Sequence, residues 1–305
     1  MSILKAFDEA LVQAEMGKTS SGRGYMVETT GRTYPAYMDL DSWKAFKDSM
    51  IEEHRIQFDR GGGKELDEKD GRPPKMASYA SSSQMIYKLS KHIRSFIFEK
   101  QLTTTVGGKA NLDGYLESLQ VRTYIEAKCR EPYGHKAGQA IKRNYRKVYE
   151  HLQMKMPGIF DCTMEDIPEV PDAKRPRNEM MVTFSCRGKE VAAFDIKQMI
   201  CHLLGVATDR LAHPDKKRVQ FLYLLYNPTE LQLEDGVREE ILGIYNETCQ
   251  TAIAYDFKVM FGYVVDYLVT IKNFAATLEE IQHIKDSFEF ALCDQNDYQG
   301  YLTID

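Results

Sequence analysis

In NLDGYLESLQVRTYIEAKCREPY, residues 111–133, two short apolar runs carry their charges at their ends. That placement constrains the fold more than any other feature of the chain. The run 121–127 has the β-branched and aromatic content of a core strand in Val121, Thr123, Tyr124 and Ile125. Side chains alternate across a strand, so Glu126 and Lys128 project from one face at its end. The preceding run, 111–117, sets Asp113 beside Gly114, and the ESLQ between the runs is short enough for a turn. The spacing therefore predicts an antiparallel pair with Asp113 opposite Glu126 at one edge of a sheet. Two carboxylates held together repel unless a cation sits between them. Oxygen ligands with open positions suit Mg2+ or Mn2+. Lys128 would then orient or deprotonate an attacking water, or offset charge on a phosphate. The competing reading is a solvated strand end whose Glu126–Lys128 ion pair contributes almost nothing.

The acid-x-Lys triplet alone carries little information, because Asp-x-Lys also begins at Asp67, Asp172, Asp195, Asp215 and Asp256. Context separates them. Asp67 and Asp172 lie in charged, Pro/Gly-rich stretches, Asp215 follows a proline, and Asp195 precedes a helical pattern that it would cap. Only Glu126 ends an apolar strand with an aspartate in the preceding paired run.

Asp113 in ANLDGYL and Glu126-Ala127-Lys128 in TYIEAKC resemble the signature of the PD-(D/E)xK nuclease superfamily. The resemblance covers roughly residues 81–227 and is nearest to a bacterial, RecB-like branch. There a helix after the Glu-x-Lys strand carries Gln-x-x-x-Tyr. Gln198 to His202 in FDIKQMICHLLG places the Gln, with His in the Tyr position, and Leu112 stands where the superfamily often has Pro. The resemblance implies an α/β fold with a restriction-endonuclease-like mixed central sheet flanked by helices. It implies Mg2+ (or Mn2+) held by Asp113, Glu126 and the Ala127 carbonyl, with Lys128 assisting the nucleophile and Gln198 steadying Lys128 or a phosphate. A first core helix over 83–100 would supply another acid, Glu99. The expected function is metal-dependent hydrolysis of phosphodiester bonds, with DNA as partner, a homodimer left open and no membrane. Two alternatives stay open: a nuclease fold without chemistry that binds nucleic acid or is structural, and a metal-dependent hydrolase of some other phosphate ester.

The net charge of −5 argues against coating nucleic acid by bulk electrostatics but allows a local groove. Residues 135–155 read HKAGQAIKRNYRKVYEHLQMK, and spacings of three and four would gather Lys142, Arg143, Arg146 and Lys147 on adjoining faces of one helix. Positive charge beside a metal site is what a phosphate backbone needs, whereas a solvated helix face is the plainer meaning of such a run. No Walker loop, dinucleotide fingerprint or GxSxG is present. No apolar run approaches a membrane span, the N-terminus lacks the regions of a secretion signal, and the six cysteines show no ligand spacing, so reduced thiols and a cytoplasmic location are expected.

Along the chain, residues 1–80 are expected to form a helical extension with a small β element and a mobile loop, DRGGGKELDEKDGRPPK. Residues 81–228 would be the core, with an insertion or lid at about 131–180. A hairpin is expected from MVTFSC and VAAF about RGKE, and a helix is expected from Asp195. The near-continuous apolar run RVQFLYLLYNP predicts a central strand buried on both faces. Residues 229–305 would be mainly helical, with TLEEIQHIKDSFEFALC helical throughout.

Overall fold

The computed structural model describes residues 2–16, 24–28, 30–34, 36–62, 64–134, 138–167 and 178–303. His135, Lys136, Asp172 and most of DIPEVPDAKRPRN lie outside them. The chain opens with α1 (Ile3–Met16), β1 (Tyr25–Val27), β2 (Arg32–Tyr34), α2 (Leu40–Ser49) and α3 (Glu52–Arg60). Next come α4 (Ser82–Ser90), β3 (Ile97–Thr103), β4 (Lys109–Glu117), β5 (Val121–Lys128), β6 (Gly138–Lys142) and α5 (Arg146–Lys155). They are followed by β7 (Phe160–Asp166), β8 (Glu179–Cys186), β9 (Lys189–Glu190), α6 (Ile196–Ala212) and β10 (Arg218–Leu225). The chain closes with α7 (Asp235–Ala254), α8 (Phe257–Thr270), α9 (Leu278–Asp286), β11 (Phe288–Asp294) and α10 (Tyr298–Tyr301).

The organising layer is a five-stranded mixed sheet in the order β11-β10-β5-β4-β3, flanked by helices. β3, β4 and β5 run antiparallel in sequence, and β5, β10 and β11 are mutually parallel neighbours. Alternation along β10 explains why this strand is apolar throughout. Val219, Phe221, Tyr223 and Leu225 join a core shared with α5, α6, α8 and a smaller sheet, β6-β8-β7. Leu222 and Leu224 join the opposite core, which holds the N-terminal helices and α4. Both faces are thus covered, as expected for this strand.

The hairpin of β4 and β5 forms with the turn closed by Ser118, whose Oγ accepts from the Val121 N–H at 3.0 Å. Its pairing runs from Glu117↔Arg122 to Gly114↔Ile125 and ends there. Beyond that level β4 stays with β3 as far as Thr103↔Lys109, while β5 stays with β10 as far as Leu225↔Lys128. The sheet therefore forks at the level of Asp113 and Glu126, at the carboxyl end of the parallel pair β5/β10. Gly114 is required beside the fork, since a Cβ there would run into the Phe96 ring.

Several expected elements differ. The helix expected over 83–100 ends at Ser90, and Ile97–Thr103 is a strand. Met85, Ile86, Ile93 and Phe96 are buried as the helical spacing requires, but Phe96 and Phe98 are buried on one side of an alternating run, and pairing with β4 decides the outcome. The four basic residues do not share a helix: Lys142 ends β6, Arg143 lies in a single 3-10 turn, and α5 begins at Arg146. β6 is drawn into strand form by β8, a partner distant in sequence. Within 156–178, Phe160–Asp166 is a regular strand, also paired with β8. VAAF is not a strand, and only Lys189 and Glu190 pair back on β8. FEFALC leaves the helix at Ser287 and forms β11 beside β10. The loop expected to be mobile is anchored among its described residues by Leu66, and directly after it by Met76, both buried in the core.

Candidate active site

Register places the acids before any side chain is considered. Phe98 pairs with Gly114 and Lys100 with Leu112, so Glu99 faces Asp113 across β3 and β4. Gly114 pairs with Ile125, so Asp113 faces Glu126 at the next step, and Glu126 pairs with Tyr223 of β10. Three carboxylates on three neighbouring strands therefore occupy one level of the sheet. Glu99 has the expected place in space but on an unexpected element, a strand rather than the end of a helix. Its backbone φ of +54° lies in the left-handed region, a strained conformation for Glu of the kind that clusters at functional sites. Gly61 packs against it so closely that a Cβ there would lie 2.8 Å from Glu99 Cβ.

Asp113 turns its carboxylate into the fork. Its Oδ2 accepts the Ala127 N–H at 2.7 Å, a backbone donor left free where the ladder stops. Glu126 and Lys128 are 2 % and 5 % exposed, so the solvated-pair reading fails. Lys128 Nζ lies 2.6 Å from Glu126 Oε1 and donates to Gln198 Oε1 at 2.6 Å. Gln198 sits in the first turn of α6, which Asp195 caps by accepting the Gln198 N–H at 2.9 Å. One turn on, His202 brings Nδ1 to 3.4 Å from Glu126 Oε2. Gln198 and His202, four apart on one helical face, thus address the two members of the Glu126–Lys128 pair.

Charge states follow from burial and mutual repulsion. Burial pushes Asp113 well above its ordinary value, and the Glu126 charge adds to this against the pull of Lys128 and the Ala127 N–H. Burial raises Glu126 to about 7 in spite of Lys128. Burial raises Glu99 to about 8, with Asp113 and Glu65 adding to the shift. Burial also opposes the charge on Lys128, but Glu126 and Glu131 outweigh it and hold the amine protonated. Burial, helped by the Lys128 charge, lowers His202 to about 3, so the ring is neutral.

The fork opens into a cavity of about 740 Å3 lined by all three acids, Lys128, Gln198 and Asn111. Side chains that sequence reasoning missed complete it. Glu65 is buried and bonded by Lys75 at 2.8 Å, and Glu131 accepts from Ser82 Oγ at 2.7 Å. Glu65 and Lys75 sit far upstream in a charged stretch with no pattern to mark them. Glu131 stands just past the Glu-x-Lys strand. Of the basic residues, Arg143 and Arg146 both bind Asp166 Oδ1, at 3.1 and 2.8 Å, while Lys142 and Lys147 are exposed.

Among the described residues no three His, Cys, Asp or Glu side chains converge as a preformed metal cage. The donor set nevertheless fits a hard cation that keeps its waters, which needs only one or two carboxylates plus substrate oxygens. The observation behind the fit is Glu126, whose buried Oε2 has no hydrogen bond while Oε1 faces the Lys128 ammonium at 2.6 Å. Among the described residues that ammonium is the cation that balances the carboxylate. Buried acceptors left in this state are costly unless a cation meets them.

A pH dependence follows. Glu99 and Glu126 have folded values of about 8 and about 7 against an ordinary 4.5, so the folded protein holds protons that the unfolded chain releases. Stability therefore falls as pH rises from about 4.5 to about 8. Urea unfolding of the metal-free protein should show a higher midpoint at about pH 5 than at about pH 8. Glu99→Gln should flatten that slope, and an unchanged slope would reject the assignment. Comparison with protein-family models, curated proteins and solved structures finds no match to this chain, so the chemistry of the site rests on its own residues.

Proposed function

We propose that the protein is a metal-dependent nuclease that hydrolyses phosphodiester bonds in DNA at the fork of a restriction-endonuclease-like sheet. The observation that carries this reading is the row Glu99–Asp113–Glu126 on adjacent strands, with Lys128 buried against Glu126. Helix α4, the antiparallel strands β3 to β5, the Gln-bearing helix α6 and the buried strand β10 follow in the order that the resemblance to PD-(D/E)xK nucleases leads one to expect. Asp113 and Glu126, with Glu99 and the Ala127 carbonyl beside them, would hold Mg2+ or Mn2+. Such an ion, when bound, neutralises phosphate charge and lowers the pKa of a bound water.

In the reaction a water oxygen bonds to phosphorus, the ester P–O bond breaks, and the departing oxygen takes up a proton. Lys128 is protonated where it stands, which favours an electrostatic role: it donates to the attacked phosphate as negative charge builds there. Gln198 holds the amine on the side of the cavity. His202, neutral and buried, adds no second positive charge beside Glu126, which leaves Oε2 open to a cation. The row of acids would repel a phosphate by itself, so the reading requires the cation to seat the reacting phosphate beside the acids as well as for hydrolysis.

The decisive experiment is cleavage of plasmid and single-stranded DNA with Mg2+ or Mn2+ and with EDTA, wild type beside Asp113→Ala. Cleavage is expected only with the cation and is expected to be lost in the variant. Cation-independent cleavage, or cleavage indifferent to Asp113, would overturn the mechanism. A nuclease fold that only binds nucleic acid would bind Mn2+ weakly or not at all and cleave nothing.

A further inference from the structure

A second cavity, of about 360 Å3, adjoins the acid site, and Asn111, Asp195 and Gln198 line both. Its walls come from the turn between β3 and β4 and the start of β4, from β6 and β8 of the small sheet, and from the first turns of α6. Lys109, Lys142 and Lys197 line it, against the carboxylates Glu179 and Asp195. Lys109 is bonded to Gln101 Oε1 at 2.7 Å. Lys142 and Lys197 are exposed, and among the described residues neither forms an ion pair. Lys142 stands opposite Glu179 in the β6/β8 register.

An independent observation points to a ligand here. Tyr149 lines this cavity, is fully buried, and has a hydroxyl with no hydrogen-bond partner. A buried hydroxyl without a partner costs free energy that a bound polar group would recover.

We propose that this second cavity seats the nucleotide adjoining the reacting phosphodiester of a single strand. Its phosphate is held by Lys142 and Lys197, and a polar edge of the nucleotide bonds to Tyr149 Oη. The inference rests on the nuclease reading of the acid site and names its substrate class. The size argues for one strand: a cavity of about 360 Å3 has the capacity of a single small ligand. A groove that binds the backbone by charge and takes nucleotides singly is how single strands are held.

The test is the anisotropy of a labelled single-stranded oligodeoxynucleotide, and of a hairpin duplex of the same sequence, titrated with the full chain in EDTA at several salt concentrations. The single strand is expected to bind at least about tenfold tighter than the duplex. The double variant Lys142→Glu/Lys197→Glu should weaken single-strand binding at least about tenfold and reduce the slope of log affinity against log salt by about 0.7, for the one phosphate the two lysines share. Both lysines are exposed, so its thermal unfolding should fall only slightly, by the repulsion between a carboxylate at position 142 and Glu179 across the strand pair. Tyr149→Phe should weaken binding several-fold and leave the salt slope unchanged, which separates the hydroxyl from the charges. Equal affinity for duplex and single strand, or a double variant with wild-type affinity and slope, would overturn the proposal. Lysine-dependent binding in a protein that cleaves nothing with Mg2+ would keep the groove and discard hydrolysis. Asp113-dependent cleavage with lysine-independent binding would discard the groove and keep hydrolysis.

Discussion

Lys128→Met is expected to reduce cation-dependent cleavage by about 10^2–10^3 or more, the loss that follows removal of one group aimed at transition-state charge. The same substitution should strengthen Mn2+ binding. In this structure the Lys128 ammonium, 2.6 Å from Glu126 Oε1, occupies the role that a cation would take between the acids. An incoming ion must compete with it. Methionine has similar length and no charge, so the variant leaves Glu126 open to the ion while removing the donor that would meet the phosphate. Without a cation, Glu126 is left buried with no counter-charge, and the variant should lose about 3–5 kcal/mol of stability at neutral pH, less if the carboxylate takes up a proton. Added Mn2+ should restore much of that loss by mass action. Calorimetric Mn2+ titration beside the cleavage assay checks both parts. A variant that cleaves like wild type, or binds Mn2+ more weakly than wild type, would remove Lys128 from the mechanism.

Arg210→Ala is expected to cost about 3–5 kcal/mol in urea unfolding without altering the acid site. Arg210 is fully buried at the end of the sheet opposite the fork. Its Nη2 binds Asp215 Oδ1 at 2.7 Å and the Asp215 carbonyl at 2.9 Å, while Arg122 Nη2 holds Asp215 Oδ2 at 2.6 Å. Arg122 also reaches Asp209, which accepts from Tyr124 Oη at 2.9 Å. The network ties the starts of β5 and β10 to the end of α6. It therefore fixes the helix whose other end presents Gln198 and His202. Removing one partner of a buried charge pair costs more than the pair contributes, because the other charge stays desolvated. A loss below about 1 kcal/mol would show that water reaches the network and that it fixes nothing.

Asp215 also opened one of the acid-x-Lys triplets, and its fate illustrates what context can and cannot resolve. It serves the arginine network, whereas Asp195 caps α6 and Asp256 caps α8 by accepting the Val259 N–H at 3.4 Å. Glu126 was distinguished from them by an apolar strand before it and an aspartate in the preceding run. Those are local properties, and local properties survive folding. The hairpin, the doubly covered strand β10 and the Asp195-capped helix were legible for the same reason: strand alternation, apolar continuity and capping chemistry act within a few residues.

Glu99 was named from sequence, but its position opposite Asp113 was not, because Ile93, Phe96 and Ile97 satisfy helical spacing until β4 offers a pairing edge. The basic run failed similarly. Lys142 was pulled into β6 by β8, and Arg143 and Arg146 were claimed by Asp166, residues whose proximity no spacing reveals. By itself the chain's order determined that two acids and an amine would meet at the end of a hairpin. The tertiary structure alone decided that the sheet forks there, that Glu99 extends the row, that Glu65 and Glu131 join the cavity, and that a second space opens past Gln198. The physical reason is range: periodicity and caps are settled by neighbours along the chain, whereas register between distant strands and the desolvation of charges are settled by whatever packs across them.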